Sequence, residues 1–309
     1  MPPPETPTLE PPPPPPGEPQ SRRPPPADQA GGKGHREEHL EQSFDRIVAD
    51  GRARLGRGWL DVAVTGVVAG FEVAFGVLAL LYTEHQTGSV AVGGLAFTIG
   101  FIALRLGHSE LFTESFLVPV TVVAAGDARV RDLFRLWAGS LAGNLAGGWL
   151  MAWLIDQAFP ELRAEAVRTG AYYVNGGLDL RTFTLAVLAG GAITLLTRMQ
   201  NGTDSEMAKL VAAVAIGFLI VGTRLFHSVL DSLLAFCALN TFRAPFGYLD
   251  WLAWLGWSVA GNLAGGLGLT TVLRLVRSRR RLADHRVAND LPAKTPRRRR
   301  DEGGVPRDR

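Results

Sequence analysis

The sequence predicts an all-α membrane protein with six transmembrane helices. They form an inverted repeat of three and three, with the second and fifth helices broken. Three observations carry this prediction. From about Trp59 to Val276 the chain is strongly apolar, and nearly all charge lies in the flanks or in short connections. Within that stretch Ala142-Gly143-Asn144-Leu145-Ala146-Gly147-Gly148 returns as Ala260-Gly261-Asn262-Leu263-Ala264-Gly265-Gly266, and Arg105-Leu106-Gly107-His108-Ser109 is answered by Arg224-Leu225-Phe226-His227-Ser228. With Ile99-Gly100-Phe101 and Ile216-Gly217-Phe218 these make three matched blocks in one order, the mark of an internal duplication. Finally, two of the apolar segments are too long for one straight crossing and carry charge near their middle.

A crossing helix needs about 20 mostly apolar residues. Six segments qualify: Trp59–Tyr82, Ser89–Ala125, Leu133–Ile155, Leu180–Met199, Met207–Leu239 and Tyr248–Val276. The second and fifth are the overlong ones. Irregular backbone at membrane depth survives only where protein or a water-filled cavity surrounds it, so each is expected to break, near His108–Thr113 and near Gly222–His227. With the N-terminus in the cytoplasm, fourteen Lys and Arg residues fall in or beside inner loops. Only Arg163, Arg168, Arg181 and Arg243 fall outside, which is the bias expected of cytoplasmic loops. Three crossings per half then place the second half upside down relative to the first.

The flanks differ in kind. The first 26 residues hold fourteen of the twenty prolines, so residues 1–36 are expected to be a disordered cytoplasmic tail. No apolar core of a secretory signal precedes Trp59, and the first span is expected to direct insertion. Leu40, Phe44, Ile47 and Val48 fall on one helical face, which suggests an amphipathic interfacial helix over 37–58. The membrane domain is placed at 59–281. The basic tail over 282–309 is read as attracted to anionic lipid rather than to nucleic acid. A lone cysteine, Cys237, excludes an intrachain disulfide.

Several residues could carry chemistry. Gly139, Gly143 and Gly147 lie four apart, as do Gly261 and Gly265, and such stripes let helix backbones approach closely. Asn144 and Asn262 beside them are expected to bond backbone freed by the breaks. A helix that restarts after a break presents unpaired amides and a positive partial charge, and two such ends facing each other suit a small anion. His227 can gain and lose a proton near neutral pH and could hand one to a weak-acid anion, or it could be bonded for structure. Ser228 to Asp231 reads as a capping pattern with Ser228 at the N-cap. Asp231 is expected to pair with Arg224 or Arg105. Glu110, Glu114 and Glu72 are further carboxylates that need partners.

At these residues the chain resembles the formate/nitrite transporter family. Gly107-His108-Ser109-Glu110-Leu111-Phe112-Thr113 is similar to the family's loop in broken helix two, with its Leu-Phe-Thr hallmark, and Phe226-His227-Ser228 is similar to its histidine loop in helix five. Both Gly-Asn-x-x-Gly elements resemble its third- and sixth-helix motifs. The resemblance covers about Ser43 to Leu282 and points to a divergent branch. It implies an aquaporin-like channel fold, a homopentamer with one pore per subunit, and passage of small monovalent anions such as formate or nitrite. It further implies His227 as the central histidine, Thr113 as the threonine facing it, Phe97 and Phe218 as aromatic constrictions, and Arg168 as an outer cation that attracts anions. Two departures stand out. Asp231 replaces an asparagine usual four residues after the histidine, and Phe226 replaces a glutamate common just before it.

The leading expectation is therefore an inner-membrane channel or transporter for a small weak-acid anion, with proton coupling through His227. It is not expected to be an enzyme, to need a cofactor or metal, or to bind nucleic acid. Its partners are the anion, the bilayer and copies of itself. A neutral-solute channel and a scaffold acting through the Pro-rich tail are the alternatives. A metal enzyme built on His108, Glu110, His227 and Asp231 is disfavoured, because no tight His/Glu spacing occurs and positive helix ends repel a cation.

Overall fold

The structure is a computed structural model and describes residues 48–272. The Pro-rich tail, residues 37–47 of the amphipathic helix, the basic tail and the end of the sixth apolar segment lie outside the described residues. Among the described residues the fold is entirely helical. Its helices are α1 (Trp59–Thr87), α2 (Val90–Gly107), α3 (Val118–Ala125), α4 (Val130–Ala158), α5 (Arg163–Val174), α6 (Leu180–Asn201), α7 (Glu206–Gly222), α8 (Ser228–Asn240) and α9 (Tyr248–Leu263). A 3-10 turn at Phe112–Phe116 precedes α3, and α9 runs on into a π-helical stretch over Ala264–Val272. By length and composition α1, α2 and α6 suffice to cross a membrane, while Phe112–Ala125 and Ser228–Asn240 are shorter apolar helices.

The duplicated glycine blocks explain which helices pack. On α4, a Cβ at Gly147 would collide with the backbone of Val67 on α1, and one at Gly143 would collide with Gly66. On the second half, Gly265 is pressed on Val187 of α6 and Gly261 on Ala186. Each partner sits 120 positions after its counterpart, so the α1–α4 approach is rebuilt between α6 and the α9 region. Any side chain at Gly147 or Gly265 would push backbone from backbone rather than displace a flexible chain end. Large apolar side chains from both halves, including Phe97, Phe116, Phe226, Ile193 and Trp254, fill the interior with little or no exposure.

Helical residues 48–55 lie across α3 at one end of the bundle. Gly51 sits against Val118 and Val122, Leu55 joins Val62, Val122, Leu133 and Leu136 in a small apolar cluster, and Arg52 pairs with Asp127 at 2.7 Å.

Candidate functional site

Helix stops at Gly107 and at Gly222, and the two stops are built alike. Each ends on a non-glycine residue in the left-handed region, His108 at φ 55° and Arg224 at φ 53°. That conformation is uncommon outside glycine. Behind it, the Ser109 amide bonds the Leu104 carbonyl at 3.3 Å, and the Leu225 amide bonds that of Ile220 at 2.9 Å. These are the bonds that close a helix C-terminus.

Two asparagines pin the backbone beyond each stop. Asn144 accepts from the Phe112 amide at 2.9 Å and donates to the carbonyls of Gly66 at 2.9 Å and Glu110 at 3.2 Å. Asn262 accepts from the Ser228 amide at 2.9 Å and donates to Ala186 at 2.8 Å and Phe226 at 2.9 Å. Both side chains are buried, and each ties backbone that no helix serves, Glu110 and Phe112 or Phe226 and Ser228, to a carbonyl inside α1 or α6.

This geometry corrects the register read from the sequence. The matched Arg-Leu-x-His-Ser blocks are 119 residues apart, which pairs His108 with His227. In space the offset is 116, so Glu110 answers Phe226, Leu111 answers His227 and Phe112 answers Ser228. His108 is exposed, its Nδ1 is 3.0 Å from its own turn's Leu106 carbonyl, and its structural counterpart is Arg224.

The capping assignment moves too. The N-cap of α8 is His227, not Ser228. Its Nδ1 accepts the Leu230 amide at 3.1 Å, while Asp231 reaches back to the His227 amide at 2.7 Å. In the first half Glu114 does the same for the Leu111 amide at 3.2 Å. The carboxylate stands three residues on in the first half, where the turn is 3-10, and four on in the second, where it is α, as their pitches require.

The two stops meet at one point. Thr113 Oγ1 lies 3.0 Å from His227 Nε2, and both residues are wholly buried. Since Nδ1 accepts an amide proton, the neutral ring carries its own proton on Nε2 and donates it to Thr113. Phe226, next to His227 in the chain, is buried among aromatics, with ring centroids 5.3 Å from Tyr173 and 6.3 Å from Trp254.

Other expected partnerships differ. Asp231 pairs with neither arginine; its Oδ1 is buried without a hydrogen-bond partner. Arg105 instead holds Glu206 at 2.9 Å, and the Arg224 guanidinium lies 4.5 Å from the centre of the Tyr172 ring. Glu110 is held by Arg57 at 3.0 Å and Arg54 at 3.4 Å, beside a cavity of about 310 Å³ that Arg105, His108 and Glu114 also line. Glu72 leans on Gly107, with its Oε2 buried and unpartnered. Arg168 lies between carboxylates, bonding the buried Glu84 at 2.9 Å and gripping Glu165 as well. Its charge is therefore largely neutralised where it stands. Phe97 is buried against α1 and stacks edge-on with Phe101, whereas Phe218 is half-exposed. No three His, Cys, Asp or Glu side chains converge among the described residues.

The amides expected to greet an anion are mostly occupied. Asn144 and Glu114 hold those of Phe112 and Leu111; Asn262, His227 and Asp231 hold those of Ser228, Leu230 and His227. Tyr172 and Tyr173 went unnoticed in the sequence, and Arg54 and Arg57 counted only toward orientation, because none belongs to a repeated block.

The family model described as Formate/nitrite transporter matches residues 41–276. Among curated proteins the chain is 25% identical to the inner membrane protein YfdC of Escherichia coli strain K12, over 81% of this chain and 80% of that one. It is 24% identical to the formate channel FocA of the same strain, over 70% and 75%. Among solved structures, one described as an FNT family ion channel superposes with a TM-score of 0.66 at 18% identity, covering 77% of this chain and 99% of that one. A pentameric formate channel with formate bound superposes at 0.61 and 18% identity, covering 72% and 98%.

Proposed function

Because this chain belongs to the formate/nitrite transporter family, we propose that it is a membrane channel or transporter for small monovalent weak-acid anions, with formate and nitrite as the type solutes. The working unit is a homopentamer in the inner membrane with one pore per subunit. In this reading α1, α4, α6 and α9 each cross once, α2–α3 and α7–α8 are the two broken crossings, and the second half is inverted relative to the first with both termini cytoplasmic.

The observation that carries the proposal is the 3.0 Å contact between Thr113 and His227. It joins one interruption to the other through two wholly buried polar side chains. A weak acid crossing such a waist does so most readily as the neutral species, because a bare anion in an apolar constriction costs far more.

His227 constrains how a proton is supplied. With Nδ1 accepting the Leu230 amide, the neutral ring holds one proton on Nε2, and giving that proton away would leave an anionic ring. Donation to a solute therefore requires a second proton on Nδ1, and that displaces the Leu230 amide. Proton coupling and loosening of the α8 cap are one event in this mechanism. A second reading, a channel for small neutral solutes, is favoured by Glu114 and Asp231, whose carboxyls sit at both helix starts and offset their positive ends.

Flux of formate and nitrite into proteoliposomes across several pH values tests the proposal. Wild type is expected to show flux that rises as pH falls. Thr113→Val should reduce it and His227→Asn should flatten its pH dependence. Urea flux equal to formate flux, with neither substitution having an effect, would replace the anion reading with the neutral-solute one.

A further inference from the structure

A cavity of about 420 Å³ opens where the first turns of α1 and α4 meet, lined by Trp59, Arg129, Arg131, Asp132 and Arg135. Its aromatic wall is seated by a glycine. A Cβ at Gly139 would lie 3.3 Å from the Trp59 ring and closer still to Val62, so the absence of a side chain at 139 lets the indole pack closely on α4. Arg135 forms the floor. It donates to the Leu55 carbonyl at 2.6 Å and lies 3.7 Å from Asp132, with its Nε buried and unpartnered.

Arg129 and Arg131 are exposed, and neither pairs with a carboxylate among the described residues. The cavity therefore carries three guanidinium groups against one carboxylate. No side chain caps α4, whose first amides add to the same positive field. Trp59 of the cavity wall, and Val130 and Phe134, chain neighbours of the lining residues Arg129, Arg131 and Arg135, are 59%, 55% and 61% exposed.

We propose that this cavity binds the phosphate of an anionic phospholipid, with Arg129 and Arg131 as its ligands and Trp59 packed against the glycerol region. The rim of Val130 and Phe134 receives the acyl chains. A free phosphate ion would use the guanidinium groups alone and leave that apolar rim without a role. Basic pockets between membrane helices on the cytoplasmic side are suited to such headgroups, and aromatic residues at helix ends sit at headgroup level.

The test uses the full chain purified in neutral detergent, titrated with phosphatidylglycerol or phosphatidylcholine of equal chain length. Retained lipid is counted by native mass spectrometry. Wild type should retain phosphatidylglycerol about ten-fold more strongly than phosphatidylcholine, and Arg129→Gln/Arg131→Gln should lose roughly twenty-fold of that affinity. Arg198→Gln/Arg243→Gln, which removes as much charge elsewhere, should leave it unchanged. Equal retention of both lipids by wild type overturns the proposal without any variant being needed. Displacement of phosphatidylglycerol by millimolar inorganic phosphate would assign the site to the free ion instead. Because lipid retention is read without transport, failure here leaves the channel reading standing, and failure of flux leaves this one.

Discussion

Asn262→Ala tests whether the asparagine clamps hold the site. The substitution strips a wholly buried position of one acceptor and two donors, leaving the Ser228 amide without a partner and the Ala186 carbonyl with only its own helix bond within α6. The Phe226 carbonyl keeps one weak donor, the Ser258 hydroxyl at 3.4 Å. An unmet buried polar group costs about 1–3 kcal/mol, so one full loss and two partial losses come to about 3 kcal/mol. At about 2–4 °C per kcal/mol for a unit of this size, the thermal midpoint should fall by roughly 6–12 °C. Where unfolding is irreversible the midpoint depends on the heating rate, so wild type and variant must be heated at one rate. Asn144→Ala should be at least as harmful, because the Glu110 carbonyl has no substitute donor comparable to Ser258. Asn262→Asp keeps the acceptor but turns a second oxygen toward two carbonyls, and should match or exceed the damage of alanine. A midpoint for Asn262→Ala within 2 °C of wild type, or a benign aspartate, would refute the claim that these bonds hold the interruption.

The same geometry sets three further outcomes. Asp231→Asn preserves an acceptor for the His227 amide and should be tolerated, while Asp231→Ala should cost about 1–3 kcal/mol in thermal unfolding; equal damage from both would sink the capping role. Arg168→Gln strands the buried Glu84, so adding Glu84→Gln should restore part of the lost thermal stability, and a strictly additive double variant would contradict the pairing. Asp179 caps α6, and the backbone bond from Thr182 holds its carboxyl below the usual range. Its contribution is present above about pH 4 and fades as pH falls through the depressed folded value. Asp179→Ala should therefore lower the midpoint at pH 6 but much less at pH 3, and an equal deficit at both would exclude this linkage.

The repeated Gly-Asn-x-x-Gly-Gly blocks were legible because close backbone approach demands glycine and a freed backbone demands an amide, so residue identity reports geometry at those positions. The places where helix stops were legible from segment length and misplaced charge. The register between the halves was not. Arg-Leu-x-His-Ser matched by letters, but what is equivalent in space is set by the asparagine partners, and those bond backbone, which carries no residue signature. The same blindness shifted the cap of α8 by one residue, since histidine is a rare N-cap and serine a common one. The partners of Arg105, Arg168 and Glu110 lie on helices distant in sequence, and no spacing rule reaches them. The π-helical continuation of α9 also had no signal, as it begins on Ala264-Gly265-Gly266, a copy of three residues that are regular helix in α4.

All three bonds of Asn144 end within the first half of the chain, at Gly66, Glu110 and Phe112, and all three of Asn262 end within the second, at Ala186, Phe226 and Ser228. Each half thus locks its own loop, and the covalent thread between them near Gly177 adds nothing to either lock. Two separately translated fragments, severed there, would each arrive with a finished loop and need only to dock for the histidine to find its threonine.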